Sequence, residues 1–294
     1  MTPTARGPAG WRKIPGRIPP GTIRPRDDTT LSERIGDLVL EHAAPAGRAH
    51  SRSVLFVHGM WGGSWYLRNY LYAAGQSGWD AWAVNLRGHG ESPAAGGLGS
   101  VSFLDYVDDV RRCLDRLGEA VLVGHSMGGL IAQKVVEGGG VSAAVFMTSA
   151  PPRGIVTLEW PVLVRAARYL PAVLSGRAFT MTRAHADFLC LNQLSPEQRE
   201  WAFPRFGPES GRATRELALG GIAVDAAAVR CPTLVVGAEH DRITPAALQR
   251  RIARRYGSEY QEAVGHGHML MLEDGWERPF KDVLAWMERV IGER

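Results

Sequence analysis

Cysteine is scarce: three residues in a chain of 294. Cys113, Cys190 and Cys231 lie far apart and form no C-x-x-C pair. A disulfide framework, a zinc ribbon and a dithiol redox centre are therefore not expected, and each cysteine reads as a small apolar residue in a reducing, cytoplasmic setting. There is also no apolar run near the roughly 18 residues that a membrane span needs. No dense basic run is interleaved with aromatics, so a nucleic-acid partner is not expected. Acidic residues are missing from Met1 to Arg26, which holds six basic ones, so the net charge of +4 is carried by that end of the chain. Residues Met1–Thr30 are rich in Pro, Gly and Arg without periodicity and read as a disordered or loosely packed tail. This tail lacks the apolar segment of a secretory signal. No internal repeat or low-complexity block is visible.

What remains has the composition of a globular protein, with 45% hydrophobic and 22% charged residues. The length suffices for a large core without staples. Ser53–Val57, Ala81–Asn85, Ala120–Val123, Ala143–Met147 and Pro232–Val236 are short apolar runs of the kind that forms strands buried on both faces. Helical patterns separate them, including Phe103–Leu117 with Asp105, Asp108 and Asp109 near its start, where the helix dipole favours acids. Arg34–His42 reads as one early strand, Pro245–Tyr256 as a helix, Glu259–Val264 as a strand and Trp276–Ile291 as a closing helix. Such alternation predicts an α/β fold with a mostly parallel sheet and helices on both faces. Between Pro151 and Ala228 the alternation stops. That segment holds proline-broken helical pieces and many aromatics, and reads as a mainly helical cap. The expected organisation is a tail at 1–30, core at 31–150, cap at 151–228 and core again at 229–294.

The chain is organised around Ala120-Val-Leu-Val-Gly124-His-Ser126-Met127-Gly128-Gly129. A strand, G-x-S-x-G and a helix in that order form a nucleophile elbow. The serine must occupy a tight, strained turn, and the neighbouring chain then passes too close for side chains at the flanking positions, which Gly124 and Gly128 satisfy. A bare G-x-S-x-G is also a plain glycine-rich turn with an incidental serine. Partners for the remaining chemical roles decide between the two accounts.

A serine hydroxyl needs a base, usually a histidine held by a carboxylate, and with this elbow the chain order is Ser, acid, His. Asp241, before Arg-Ile-Thr-Pro at the end of a strand, is the preferred acid, with Glu239 as alternative. His268 is the preferred base over His266, which lies two residues earlier in the same loop. Two backbone N–H groups should receive the developing oxyanion. One is that of Met127; the other comes from His58-Gly-Met-Trp61, with Met60 preferred and Trp61 the alternative. Arg87-Gly-His89-Gly-Glu-Ser92 looks catalytic but is expected to shape the floor of the site by hydrogen bonding. Trp61 and Trp65 are candidate substrate-lining residues.

This combination resembles the α/β-hydrolase superfamily, in particular its small cap-bearing esterases and lactonases. The resemblance covers about Leu38 to Ile291. It rests on His58-Gly59, Arg87-Gly-His-Gly-Glu-Ser92, Gly124-His-Ser-Met-Gly128, Asp241 before Ile243-Thr-Pro245, and His268-Met-Leu-Met-Leu-Glu273. It implies an eight-stranded sheet whose second strand is antiparallel, with the cap after the sixth strand. Asn85 departs from the pattern, standing where many relatives have Asp. The function so implied is a serine hydrolase of a carboxylic ester, thioester or lactone of a small hydrophobic substrate. It would use no metal or organic cofactor and act as a monomer or homodimer. The alternatives are a C–C bond hydrolase or lyase on the same residues, and a small-molecule receptor with a vestigial triad; Ser126 argues against a dehalogenase, whose nucleophile is aspartate.

Overall fold

The computed structural model describes residues 31–47, 50–155 and 164–292. The expected tail at 1–30 lies outside them, as does part of the expected cap. Eight strands form one sheet in the order β1-β2-β4-β3-β5-β6-β7-β8. They are β1 (Leu31–Ile35), β2 (Leu38–Ala43), β3 (Ser53–Val57), β4 (Asp80–Asn85), β5 (Ala120–His125), β6 (Val141–Met147), β7 (Thr233–Ala238) and β8 (Glu259–Ala263). β2 runs antiparallel to both its neighbours, and the pairs from β4 to β8 are parallel.

The single strand expected over Arg34–His42 is instead a hairpin. Gly36, at φ 59°, reverses the chain between β1 and β2. Only glycine takes that conformation without penalty, and a lone Gly-Asp pair inside a short amphipathic stretch is easily read through.

The apolar runs form strands because both faces of the sheet are covered. Val54 and Phe56 of β3 pack into the core on one face, with α1 (Arg68–Gln76) and, from the chain's other end, Phe280, Val283 and Met287. Leu55 and Val57 pack into the opposite core, against α2 (Phe103–Leu117) and α3 (Met127–Val136). Helix α2 starts at Phe103, as expected, where Ser102 and Asp105 close a capping box. Asp109 does not serve the dipole: it is fully buried and takes hydrogen bonds from the Arg87 backbone N–H and guanidinium.

Between β6 and β7 the described residues are helical and broken, as expected. They include α4 (Leu170–Ser175), α5 (Arg183–Leu189), α6 (Pro196–Ala202) and α7 (Gly211–Arg215). Helices α8 (Ala246–Tyr256) and α9 (Glu277–Ile291) flank β8 in the chain. Among the described residues no helix is long and apolar enough to cross a membrane.

The stacked rings of Tyr70 and Phe280, 3.9 Å apart, join α1 to α9 in a site closed to water. Phe280→Ala is expected to cost about 3–5 kcal/mol, since it removes a fully buried ring and leaves a cavity between Tyr70 and Phe56. Urea unfolding followed by tryptophan fluorescence measures it.

Candidate active site

β5 delivers Ser126 on the turn into α3. Its backbone sits at φ 56°, ψ −119°, a conformation costing about 1–3 kcal/mol that the surroundings must enforce. They do so by close approach. A Cβ on Gly124 would lie 2.2 Å from the Gly128 carbonyl oxygen, and one on Gly128 only 2.4 Å from that of Val57. A Cβ on Gly59 would meet the Ser126 Cβ at 2.7 Å, so the loop after β3 lies directly against the serine. The Ser126 N–H donates to Met147 at 3.0 Å and its carbonyl accepts from Ala150 at 2.9 Å, pinning the turn to the end of β6.

Ser126 Oγ lies 3.0 Å from His268 Nε2, and His268 Nδ1 lies 2.8 Å from Asp241 Oδ2. The buried Asp241 carboxylate also accepts from the backbone N–H groups of Ile243 (2.8 Å) and Thr244 (3.0 Å) and from the Thr244 hydroxyl (2.7 Å). Burial pushes its acidity down, but the neighbouring His268 and these bonds outweigh burial and hold its pKa below the ordinary value. An acceptor-only carboxylate fixes the His268 tautomer: Nδ1 carries the proton, leaving Nε2 to accept from the serine.

The competing residues lie elsewhere. His266 Nδ1 faces the Val264 carbonyl at 3.0 Å, and its ring lines a groove with Gln261, Arg278 and Asp282. Glu239 is exposed and accepts from the Gly265 N–H at 2.9 Å.

The loop Gly59–Trp61 also separates its amides. The Gly59 N–H donates to the Tyr66 hydroxyl and the Trp61 N–H to Glu209 Oε2 at 3.1 Å. Among the described residues, neither Met60 N–H nor Met127 N–H has an acceptor in reach. Trp61 meets Phe179 edge-on, with ring centroids 5.7 Å apart, and Trp65 meets Trp201 and Phe206 at 5.7 and 5.5 Å. Among the described residues, both indole N–H groups are buried without a hydrogen-bond partner.

A buried wire, which motif reading missed, connects these parts. His125 Nε2 donates to the His268 carbonyl at 2.9 Å, so its Nδ1 accepts from the Tyr66 hydroxyl at 2.9 Å, which in turn accepts from Gly59. Burial, with His268 nearby, pushes His125 down to about 3, so the ring is neutral. Asn85 bridges in a similar way, accepting from Ser64 N–H at 2.9 Å and donating to the Val39 carbonyl at 3.3 Å. An ionised aspartate could not make that second bond, which accounts for the departure. His89 is buried and packs against His58, 4.9 Å between centroids, and takes no place beside Ser126.

A sequence model described as "Alpha/beta hydrolase family" matches residues 54–286. The chain belongs to that family. It is 27% identical over 263 residues to a putative carbamate hydrolase, RutD, of Variovorax paradoxus, covering 83% of this chain and 96% of that one. It is 26% identical over 245 residues to the AB hydrolase superfamily protein YisY of Bacillus subtilis, covering 74% of this chain and 86% of that one. Among solved structures, a thermophilic esterase from Thermogutta terrifontis superposes with a TM-score of 0.68 at 22% identity, covering 86% and 93% of the two chains. A putative aryl esterase from Burkholderia cenocepacia gives 0.67 at 21%, covering 90% and 100%. Family and relatives together support a hydrolase of the α/β type.

Glu273 accepts from the Gly267 N–H at 2.7 Å, bracing the loop that carries His268, while its other oxygen is buried without a partner among the described residues. Burial, reinforced by Asp241, raises its pKa to about 8. The native state therefore holds a proton that the unfolded chain releases in the ordinary carboxylate range, so this contribution is full at low pH and is lost as pH rises through about 8. The melting temperature should fall across that window, and Glu273→Gln should flatten the fall; scanning calorimetry at a series of pH values checks it.

Proposed function

We propose that the protein is a serine hydrolase that cleaves a carboxylic ester, thioester or lactone of a small hydrophobic substrate through an acyl-enzyme. The observation that carries this reading is the unbroken line Ser126 Oγ, His268, Asp241, with steps of 3.0 and 2.8 Å, from an elbow to a buried carboxylate. In this reading Ser126 Oγ attacks the substrate's carbonyl carbon as its proton passes to His268 Nε2. Asp241 orients the ring and stabilises the imidazolium. The Met60 and Met127 N–H groups receive the negative oxygen of the tetrahedral intermediate. Collapse of that intermediate expels the alcohol, thiol or ring oxygen, which takes the proton from His268. Water then attacks the acyl-enzyme with the same base, and Ser126 is regenerated.

Met60 is preferred over Trp61 because the Trp61 N–H is already bonded to Glu209. The aromatic contacts of Trp61 and Trp65 with Phe179, Trp201 and Phe206 support an apolar acyl site beneath the 151–228 segment, which we take to be a cap. Carbamate and ester hydrolysis, named for the relatives above, are both attack on an acyl carbon.

Fluorophosphonate treatment followed by intact-mass spectrometry tests the reading. Wild type should gain one adduct, Ser126→Ala none, and His268→Ala should react far more slowly, while His266→Ala reacts at the wild-type rate. Asp241→Asn, which leaves the tautomer wrong, should lower kcat by roughly 10⁴-fold on a chromogenic acyl ester. No adduct on folded wild type would overturn the serine-hydrolase assignment.

A further inference from the structure

Glu209 is fully buried, and nothing in the proposed acyl transfer uses it. It stands on the segment between α6 and α7, and three of the four groups it meets, on Trp61, His89 and Tyr106, are far away in sequence. Four donors converge on its two oxygens. Oε1 accepts from the Tyr106 hydroxyl at 2.8 Å and from the Ser210 N–H at 2.7 Å; Oε2 accepts from the Trp61 N–H at 3.1 Å and from His89 Nε2 at 3.2 Å. An ionised carboxylate satisfies four donors, whereas a carboxamide offers only one oxygen.

The partner histidine is equally constrained. His89 Nδ1 faces the Arg87 carbonyl at 3.3 Å while Nε2 faces Glu209, so both ring nitrogens point at acceptors. Only the imidazolium donates from both. Neighbouring His58 is held neutral by its own partners: Nδ1 donates to the Gly59 carbonyl at 2.8 Å and Nε2 accepts from the Leu86 N–H at 3.1 Å. The other charges nearby, Arg87 and Asp109, pair with each other. The electrostatics of the pair point the same way. Burial pushes His89 down, but Glu209 outweighs it and raises the imidazole; burial pushes Glu209 up, but His89 and the converging donors hold it below the ordinary range.

The residue this pair grips is strained. Trp61 has φ 58°, a left-handed conformation that a bulky side chain rarely takes. The 207–209 segment over-determines it. Its N–H is held by Glu209, its carbonyl accepts from the Gly207 N–H at 2.8 Å, and its ring rests on Phe179, whose backbone pairs with that of Glu209 in both directions.

We propose that Glu209 is the positioning residue of the oxyanion loop: by holding the Trp61 N–H it locks Trp61 in the left-handed turn and so presents the adjacent Met60 N–H to the substrate's carbonyl oxygen. This rests on the acyl-transfer reading of Ser126. It ties the placement of the 207–209 segment to assembly of the oxyanion hole, because Glu209 belongs to the first and Trp61 to the second.

The test uses full-length wild type, Glu209→Gln, Tyr106→Phe and His89→Asn. For each, the rate of fluorophosphonate adduct formation and the kcat and KM on p-nitrophenyl butyrate are measured beside the melting temperature. Glu209→Gln leaves one oxygen for donors that need two, and should lose about 10- to 100-fold in kcat and in adduct rate with KM nearly unchanged, somewhat less than the loss of a whole oxyanion donor. Tyr106→Phe removes a donor from Oε1, away from Trp61, and should lower the melting temperature while keeping wild-type rates. If Glu209→Gln does not fold, His89→Asn, which removes the cation that keeps Glu209 ionised and fixed on the Trp61 N–H, carries the test and should lose kcat in the same direction; wild-type kcat in folded His89→Asn would then overturn the proposal. Wild-type rates in the folded Glu209→Gln variant, a change in KM alone, or an equal kcat loss in Tyr106→Phe would overturn the proposal. A wild type that takes no adduct would instead overturn the acyl-transfer reading, and this inference with it.

Discussion

One constraint governs the arrangement: a serine must stand on a left-handed turn while three stretches of backbone close around it. Gly124 and Gly128 let β5 and α3 approach each other and the end of β3, and Gly59 lets the loop after β3 lie on Ser126 itself. Everything else has to be placed relative to that crossing. The parallel order of β3, β5, β6 and β7 brings their carboxyl ends to one edge, so the loops bearing Gly59, Ser126, Thr148 and Asp241 emerge side by side. The short parallel strands are stable there because each face is covered by apolar helices, and the loop after β8 adds Met269, Leu270 and Met271 to one of the two cores.

Most polar groups so close to a dry core need partners, and for two histidines beside the site those partners leave little choice of protonation state. Burial presses His58 and His125 down to about 3. Each then has one ring N–H facing a carbonyl and one lone pair facing a donor. These neutral imidazoles act as spacers that tie the Gly59 loop to β4 and to the loop of His268. A shift of the helical segment at 207–209 would be felt at Trp61, and one at Tyr66 would reach Gly59 and His125. The site is thus a small set of interlocked loops, not a set of independent side chains.

Much of this was legible in the sequence, for a physical reason. Strands buried on both faces must be continuous apolar runs, and a helix that closes its own capping box, as Ser102 and Asp105 do, announces its start locally. The elbow and the Asp241 and His268 loops were readable because their geometry depends on residues within a few positions. The β1–β2 hairpin was not, because a single Gly-Asp pair carries its turn. Asp109 was read as a dipole acid because sequence gives no view of Arg87, and Asn85 as a departure because its role depends on a carbonyl in β2. Glu209 left no signal at all. It sits 148 residues from Trp61 in sequence, and its importance depends on three donors, from Trp61, His89 and Tyr106, that only the fold brings to it.

The two buried carboxylates show how the same pair of residue types yields different behaviour. Asp241 and Glu209 each accept four hydrogen bonds and each faces a histidine. The difference lies on the far side of the ring. The second nitrogen of His268 faces a serine hydroxyl, which can give up a proton and take one back, so that histidine is free to change its charge. The second nitrogen of His89 faces a carbonyl, which can only accept, so that histidine has one stable state beside Glu209. In the proposed mechanism the first pair moves a proton and the second cannot. A fixed charge pair is what a strained loop needs beneath it, because a group that titrated during the cycle would release Trp61 at the step in which the oxyanion must be held.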